Sequence, residues 1–494
     1  MDPRARLIGL VLALGGLMVT VDTTVALVAV PAIVADLDST LPVVQWVTTG
    51  YLLGVVAVIP LAGWAANRFG ARRVYLTALA TFTVASALAG LAWDAGSLAA
   101  CRVLQGLGGG LLNPVGQAIG LRAVPREARG RLMSLLGLPV VIGPVLGPPL
   151  AGWLVDAASW RWVFLINVPI GIAALLLCRR LLPHQPAERA GVPSLDRLGL
   201  AQLSGGAALV VLGCTLLGDS GSLTWPVAGA LGSGALLLTV FAARALRVPA
   251  PLVDLRLLRH RPLAVGLAVL VPFGAAYFGA MSVLPLFVQG VRGDPATLAG
   301  VLGIPQALAV GLTLQVATRL VDRLAPRRIV LTGVTLGLLG SLGLLAATSA
   351  DAPYPVIAGA AVVLGIGSGA TLMPTMTSAV RDLEGSDTPR GTTLLALAQQ
   401  LAGAVGAALV ATAVTLLVSA RVPELTAHGG GVAGMLALEP AARTSLVPQL
   451  AAAVGGAYAV AAVLMALSAV AAVRGLRPSP APRTGRTAVT GRTP

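Results

Sequence analysis

One carboxylate in this chain of 494 residues lies where carboxylates are costly. Asp22 follows about fifteen apolar or small residues and precedes another apolar stretch, whereas nearly all other acidic residues fall in connectors or at the ends of apolar runs. A charge at the centre of a bilayer costs about 2.5–3.5 kcal/mol on insertion scales, so such groups are functional by default. An acid that binds and releases a proton as its exposure alternates is what proton coupling needs. The structural alternative is an Asp paired with a basic neighbour, or one that caps a broken helix. Arg102 is the only basic residue placed inside an apolar run. A guanidinium does not deprotonate in proteins. Its work is then to hold a polar network or to favour the charged form of a nearby acid, unless it merely snorkels to an interface. Asp22 and Arg102 are natural partners if the segments that carry them meet.

Neutral polar residues also enter the apolar runs, among them Gln105, Asn113, Asn167 and Gln289. Interhelical hydrogen bonding accounts for most such residues in membranes, and some can line a cavity for a small molecule. Trp46, Tyr51 and Tyr277 are candidates for aromatic contact there, Tyr277 because it lies deep in its run. Gly106, Gly108, Gly109 and Gly110 follow Arg102, and Gly143-Pro144-Val145-Leu146-Gly147-Pro148 forms a second small-residue stretch. Both read as close-packing surfaces, the second with a proline kink; a hinge between bundles is compatible with this. There is no G-x-x-x-x-G-K-[ST], H-E-x-x-H or G-x-S-x-G pattern, hence no sign of nucleotide, metal or acyl-transfer chemistry. The three histidines fall in connectors and the three cysteines form no C-x-x-C pair, so neither a cofactor nor a metal is expected and the chain is not read as an enzyme.

The elements that must position these residues follow from composition. Hydrophobic residues make up 56% of the chain and charged residues only 11%, against about 25% charged in soluble domains. Only a bilayer suits such a surface. Fourteen apolar segments are predicted as membrane helices, at 7–34, 43–65, 74–93, 97–121, 132–155, 162–178, 198–217, 225–243, 263–288, 297–321, 329–347, 355–380, 391–419 and 446–473. Most reach the roughly 20 residues that cross a bilayer. The first run is too long for a signal peptide and is read as a retained helix. The net charge is +15 and every basic residue is Arg. These arginines lie in short connectors, which argues for membrane topology and against a nucleic-acid partner. With the N-terminus in the cytoplasm, 29 fall inside and 4 outside, as the positive-inside rule requires. Both termini are then cytoplasmic. The expected domains are a six-helix bundle at 1–178, two inserted helices with cytoplasmic linkers at 179–261, a second six-helix bundle at 262–474 and a disordered cytoplasmic tail at 475–494. A weak echo between halves supports this: Asn67-Arg68-Phe69-Gly70-Ala71-Arg72-Arg73 recurs in kind as Asp322-Arg323-Leu324-Ala325-Pro326-Arg327-Arg328. Internal repeats of this kind mark secondary transporters.

Several motifs together resemble the fourteen-helix drug:proton antiporters of the major facilitator superfamily, over essentially the whole chain. Gly63-Trp64-Ala65-Ala66-Asn67-Arg68-Phe69-Gly70-Ala71-Arg72-Arg73 is similar to G-x-L-A-D-R-x-G-R-[KR]-[KR]. Asp22-Thr23-Thr24-Val25-Ala26-Leu27-Val28-Ala29-Val30-Pro31 resembles D-x-T-V-V-N-V-A-L-P, Arg102-Val103-Leu104-Gln105-Gly106 matches R-x-x-Q-G, and Gly143-Pro144-Val145-Leu146-Gly147 matches G-P-x-L-G-G up to Pro148. Trp160-Arg161-Trp162-Val163-Phe164 with Asn167-Val168-Pro169 is also similar. The resemblance implies an all-α integral membrane fold of two six-helix bundles plus two inserted helices, a central cavity and alternating access. It implies proton coupling by Asp22 and Arg102, and gating loops that hold Gly63, Arg68, Gly70, Arg72, Arg73, Asp322 and Arg323. An antiporter helix with Gly143, Pro144 and Gly147 is implied as well. The chain departs from the pattern at Asn67, Leu27 and Pro148. The function expected is proton-coupled export of small amphiphilic molecules from a plasma membrane by a monomer, with the proton gradient as energy source. An uptake symporter of the same fold, and a membrane sensor or enzyme, are the competing readings.

Overall fold

The computed structural model describes residues 2–39, 41–124, 128–183, 194–220, 222–249, 251–320, 325–383, 387–428, 434–435 and 438–476. No strand occurs among them. They form fourteen helical rods in chain order. The first six are α1 (Pro3–Asp36), α2 (Leu41–Val58, continued by Ile59–Leu61 and Ala62–Phe69), α3 (Ala71–Gly90), α4 (Ala95–Ala123), α5 (Arg129–Leu136 and Leu138–Ala157) and α6 (Arg161–Leu165 and Asn167–Leu181). Two more follow, α7 (Arg197–Ser220) and α8 (Trp225–Ala245). The last six are α9 (Arg261–Leu286, ending in a π-turn at Phe287–Val291), α10 (Ala296–Leu320), α11 (Pro326–Ser349), α12 (Tyr354–Ala379), α13 (Asp387–Arg421) and α14 (Pro440–Gly456 and Tyr458–Gly475). Twelve rods are long and apolar enough to cross a membrane. α4 is not among these, its apolar run being diluted by Arg102, Gln105, Asn113 and Gln117, whereas the Leu138–Ala157 part of α5 carries only apolar and small residues up to Val155. The segments expected at 184–193, Asp322 with Arg323, and the tail from 477 lie outside the described residues.

Helix ends are set by local chemistry. Asp94 caps α4 by accepting from the Ser97 backbone N–H at 2.6 Å, while Ser97 returns a hydroxyl acceptor to the Asp94 N–H, a capping box that fixes the register of Arg102. Gly70 joins α2 to α3 at φ +87°, a conformation open to glycine and strained for other residues. Within the first six rods, glycines permit close crossings. A Cβ at Gly54 would lie 3.1 Å from the Gly106 Cα, and one at Gly108 would lie 2.6 Å from the Phe82 nitrogen. α4 therefore packs backbone to backbone against α2 on one side and α3 on the other.

The apolar cores differ between the two ends of the molecule. One core takes residues from both halves: Ile59, Ala62 and Ala66 of α2 with Leu394, Leu395 and Leu397 of α13 and Leu383 beyond α12. It lies toward the end that carries Arg68, Arg72, Arg73 and Arg122. Toward the other end the cores separate. Val25, Ile33, Val47 and Phe164 belong to one core built from the first six rods, and Val283, Val288 and Val418 to one built from the last six. α7 packs against both α2 and α13. Its Ser204 hydroxyl donates to the Ala57 carbonyl at 2.6 Å.

Candidate proton-coupling site

Asp22, Arg102, Gln105, Asn167 and Ser86 meet inside the first six rods, each no more than 1% exposed. Ser86 is about 6 Å along the axis from the end of α3, Arg102 about 10 Å from the start of α4 and Asn167 about 9 Å from the start of α6. All three ends belong to the arginine-poor face. Arg102 Nη1 donates to Asp22 Oδ2 at 2.5 Å and to Gln105 Oε1 at 2.8 Å, and its Nε donates to the Val47 carbonyl at 3.0 Å. The last contact depends on the α2–α4 crossing at Gly54 and Gly106. Gln105 Nε2 and Asn167 Nδ2 each donate to Asp22 Oδ1 at 2.8 Å. The same two amides donate to Ser86 Oγ at 3.0 and 3.1 Å. Ser86 in turn donates to the Phe164 carbonyl at 3.0 Å. The guanidinium lies 4.4 Å from the Tyr51 ring centroid and 5.4 Å from that of Phe164, within cation–π reach of both.

A buried ion pair is stable only when further hydrogen bonds satisfy its remaining donors and acceptors. Here both oxygens of Asp22 are occupied. The pair is buried where neutralising either partner strands the other.

Other expected residues lie elsewhere. Gln105, Asn167, Tyr51 and Tyr277 were candidates for lining a substrate cavity. In this conformation all four are buried, at 5% exposure or less. The first two are turned to Asp22 because a buried carboxylate needs donors, Tyr51 is held under the guanidinium, and Tyr277 stacks edge-on against Phe278 at 5.5 Å. Trp46 is 42% exposed. Asn113 is exposed on α4, its oxygen 3.2 Å from where a Gly16 Cβ would stand on α1. Gln289 sits in the π-turn and donates to the Pro285 carbonyl at 3.4 Å. At the arginine-rich end, a Cβ on Gly63 would lie 3.6 Å from Thr393 Oγ1 of α13. Arg68 and Arg73 are exposed, and Arg72 donates to the Arg179 carbonyl. Asn67 accepts from Arg122 at 3.2 Å. Gly143 and Gly147 of α5 face α1: a Cβ at Gly143 would stand 2.7 Å from the Thr20 Cβ, and one at Gly147 would overlap Thr24. Thr20 donates to the Pro139 carbonyl at 3.0 Å across the same crossing. Pro144 belongs to the same helix.

Two clamps at the arginine-poor end were not anticipated. Asp36 Oδ2 accepts from Arg161 Nη1 at 2.5 Å and Trp160 Nε1 at 2.9 Å. The guanidinium first, and then the indole N–H, hold this carboxyl below the usual carboxylate range. Arg292 donates from Nε and Nη2 to Asp351 Oδ1 at 2.9 and 2.7 Å and lies over the Tyr354 ring at 4.3 Å. The signal available in sequence was an Arg in an otherwise arginine-poor connector.

Many apolar rods around a buried, charged, hydrogen-bonded core define a multi-pass membrane transporter. The chain belongs to the Major Facilitator Superfamily, whose model matches residues 12–407. It is 35% identical over 468 residues to "Multidrug resistance protein B homolog" of Mycobacterium tuberculosis (strain ATCC 25618 / H37Rv), covering 92% of this chain and 86% of that protein. It is 30% identical over 398 residues to "Putative multidrug resistance protein MdtD" of Salmonella heidelberg, covering 80% and 83%. In fold it is similar to the xylose transporter XylE from E. coli, with a TM-score of 0.58 at 16% identity over 95% of this chain and 97% of that one. It is similar too to a bacterial homolog of the human lysosomal transporter Spinster, with a TM-score of 0.60 at 17% identity over 97% and 100%.

Proposed function

We propose that this protein is a proton-coupled exporter of small amphiphilic molecules, working by alternating access in the plasma membrane. On this reading the chain crosses the membrane fourteen times, six plus two plus six, with the arginine-rich connectors and both termini on the cytoplasmic side. The observation that carries the reading is the buried Asp22–Arg102 pair with its amide donors. Protonating Asp22 removes the charge that Arg102 balances, and an unbalanced buried charge is unstable. The first six rods must then repack, which converts a proton into a change of state. The core shared by α2 and α13 joins the halves at the arginine-rich, cytoplasmic side, and α5 meets α10 toward the other side, where a Cβ at Gly152 would lie 3.3 Å from Thr297 Cγ2. α5 transmits the change, since its glycines let it ride on Thr20 and Thr24 of α1. The relatives named for multidrug resistance support a drug-like substrate. The test is efflux of ethidium from energised vesicles. Efflux that needs the pH gradient and stops when a protonophore collapses it supports the reading. Efflux indifferent to the gradient refutes it.

A further inference from the structure

Ser86 belongs to none of the motifs, yet it closes the hydrogen-bond count around Asp22. Each amide, of Gln105 and Asn167, has two hydrogens. One from each goes to Asp22 Oδ1 and the other from each to Ser86 Oγ. Ser86 spends its own hydrogen on the Phe164 carbonyl, so its two lone pairs are free to accept, and both are used. The reverse orientation of either amide would set an oxygen against the carboxylate. Gln105 is fixed a second way, because its oxygen accepts from Arg102.

We propose that Ser86 is the positioning residue of the proton site: by anchoring both amides it keeps them donating to Asp22, and so sets the pH at which that carboxylate takes a proton. This rests on the reading of Asp22 as the proton carrier. The arrangement suits only the ionised acid. A proton on Oδ1 displaces an amide, and a proton on Oδ2 cancels the charge that Arg102 is paired with. Among the described residues, the charged or titratable groups facing Asp22 are Arg102 from α4 and Tyr51 from α2. α3 and α6 offer the neutral Ser86 and Asn167, and α5 faces α1 through Gly143 and Gly147.

The experiment is an infrared titration of the purified full-length protein in lipid, following the protonated-carboxyl band that Asp22→Asn abolishes. Without the Ser86 hydroxyl both amides lose their anchor, and the ionised acid loses more than the neutral one. In Ser86→Ala the band is expected to appear about one pH unit higher than in the wild type, about tenfold in proton affinity. Ser86→Thr, which keeps the hydroxyl, is expected to restore the wild-type midpoint. An unchanged midpoint in Ser86→Ala overturns the proposal, as does an equal shift in Ser86→Thr. Asn167→Ala removes one of the two amides and must move the midpoint the same way; an unchanged midpoint there is equally fatal, and this variant decides the matter if Ser86→Ala does not fold. The titration needs no substrate. Absence of gradient-driven transport in the wild type would therefore sink the functional reading alone.

Discussion

Replacing Arg102 by Met keeps an unbranched apolar stem and removes the charged head. Five groups lose their partner at once: Asp22 Oδ2, Gln105 Oε1, the Val47 carbonyl and the rings of Tyr51 and Phe164. All of this happens at 1% exposure, so water cannot step in. Removing one partner of a buried pair costs about 3–5 kcal/mol, because a charge is left uncompensated. Asp22→Asn alone leaves the opposite charge stranded and is expected to cost a similar amount. The double variant Asp22→Asn with Arg102→Met strands neither, so its loss should fall well short of the sum. The assay is equilibrium unfolding in mixed micelles of the wild type, both single variants and the double one. A coupling of about 2 kcal/mol or more is expected, within the range seen for residues in one network. Additive losses, or single variants that unfold with the wild type, would refute the view that pair and donors act as one unit.

The remaining predictions concern the surroundings of that site. Gly147→Ala is expected to lower folded yield and transport together, because the new methyl overlaps Thr24; Gly232→Ala, with nothing within 4 Å, should be neutral or stabilising by up to about 1 kcal/mol, as thermal unfolding will report. The Asp36–Arg161 clamp carries a pH dependence. Its carboxyl is lowered in the folded protein, so its contribution is complete above the unfolded carboxylate value and fades as pH falls through the lower folded one. Melting curves in acid should therefore drop less steeply for Asp36→Asn than for the wild type. Asn67→Asp would turn the hydrogen bond from Arg122 into an exposed ion pair. A gain of no more than about 1 kcal/mol is expected, seen in melting at low ionic strength and erased by salt.

The two charged residues were legible because a charge in an apolar run is expensive enough to stand out against any background. Their pairing followed once α1 and α4 met. Gln105 and Asn167 were visible as polar residues, but a sequence does not say whether an amide faces a cavity or a carboxylate; that depends on which helices cross. Ser86 was hidden for the opposite reason: a hydroxyl in a membrane helix commonly bonds to its own backbone, as Thr83 does to the Leu79 carbonyl at 2.8 Å, and only the break in α6 near Phe164 makes this serine different. The small-residue stretch of α5 read correctly as a packing surface, while its partners Thr20 and Thr24 were not deducible from spacing. The rods themselves were legible to within a few residues. α1 runs on to Asp36, beyond its apolar run, where Arg161 and Trp160 hold its last residue.

The claim that Asp22 converts proton binding into movement is tested most directly by Asp22→Asn in proteoliposomes loaded with ethidium. Two modes are measured beside the wild type, transport driven by an imposed pH gradient and exchange at equal pH. The account predicts that the variant loses gradient-driven transport and keeps exchange. Gradient-driven transport at the wild-type rate in Asp22→Asn would contradict it.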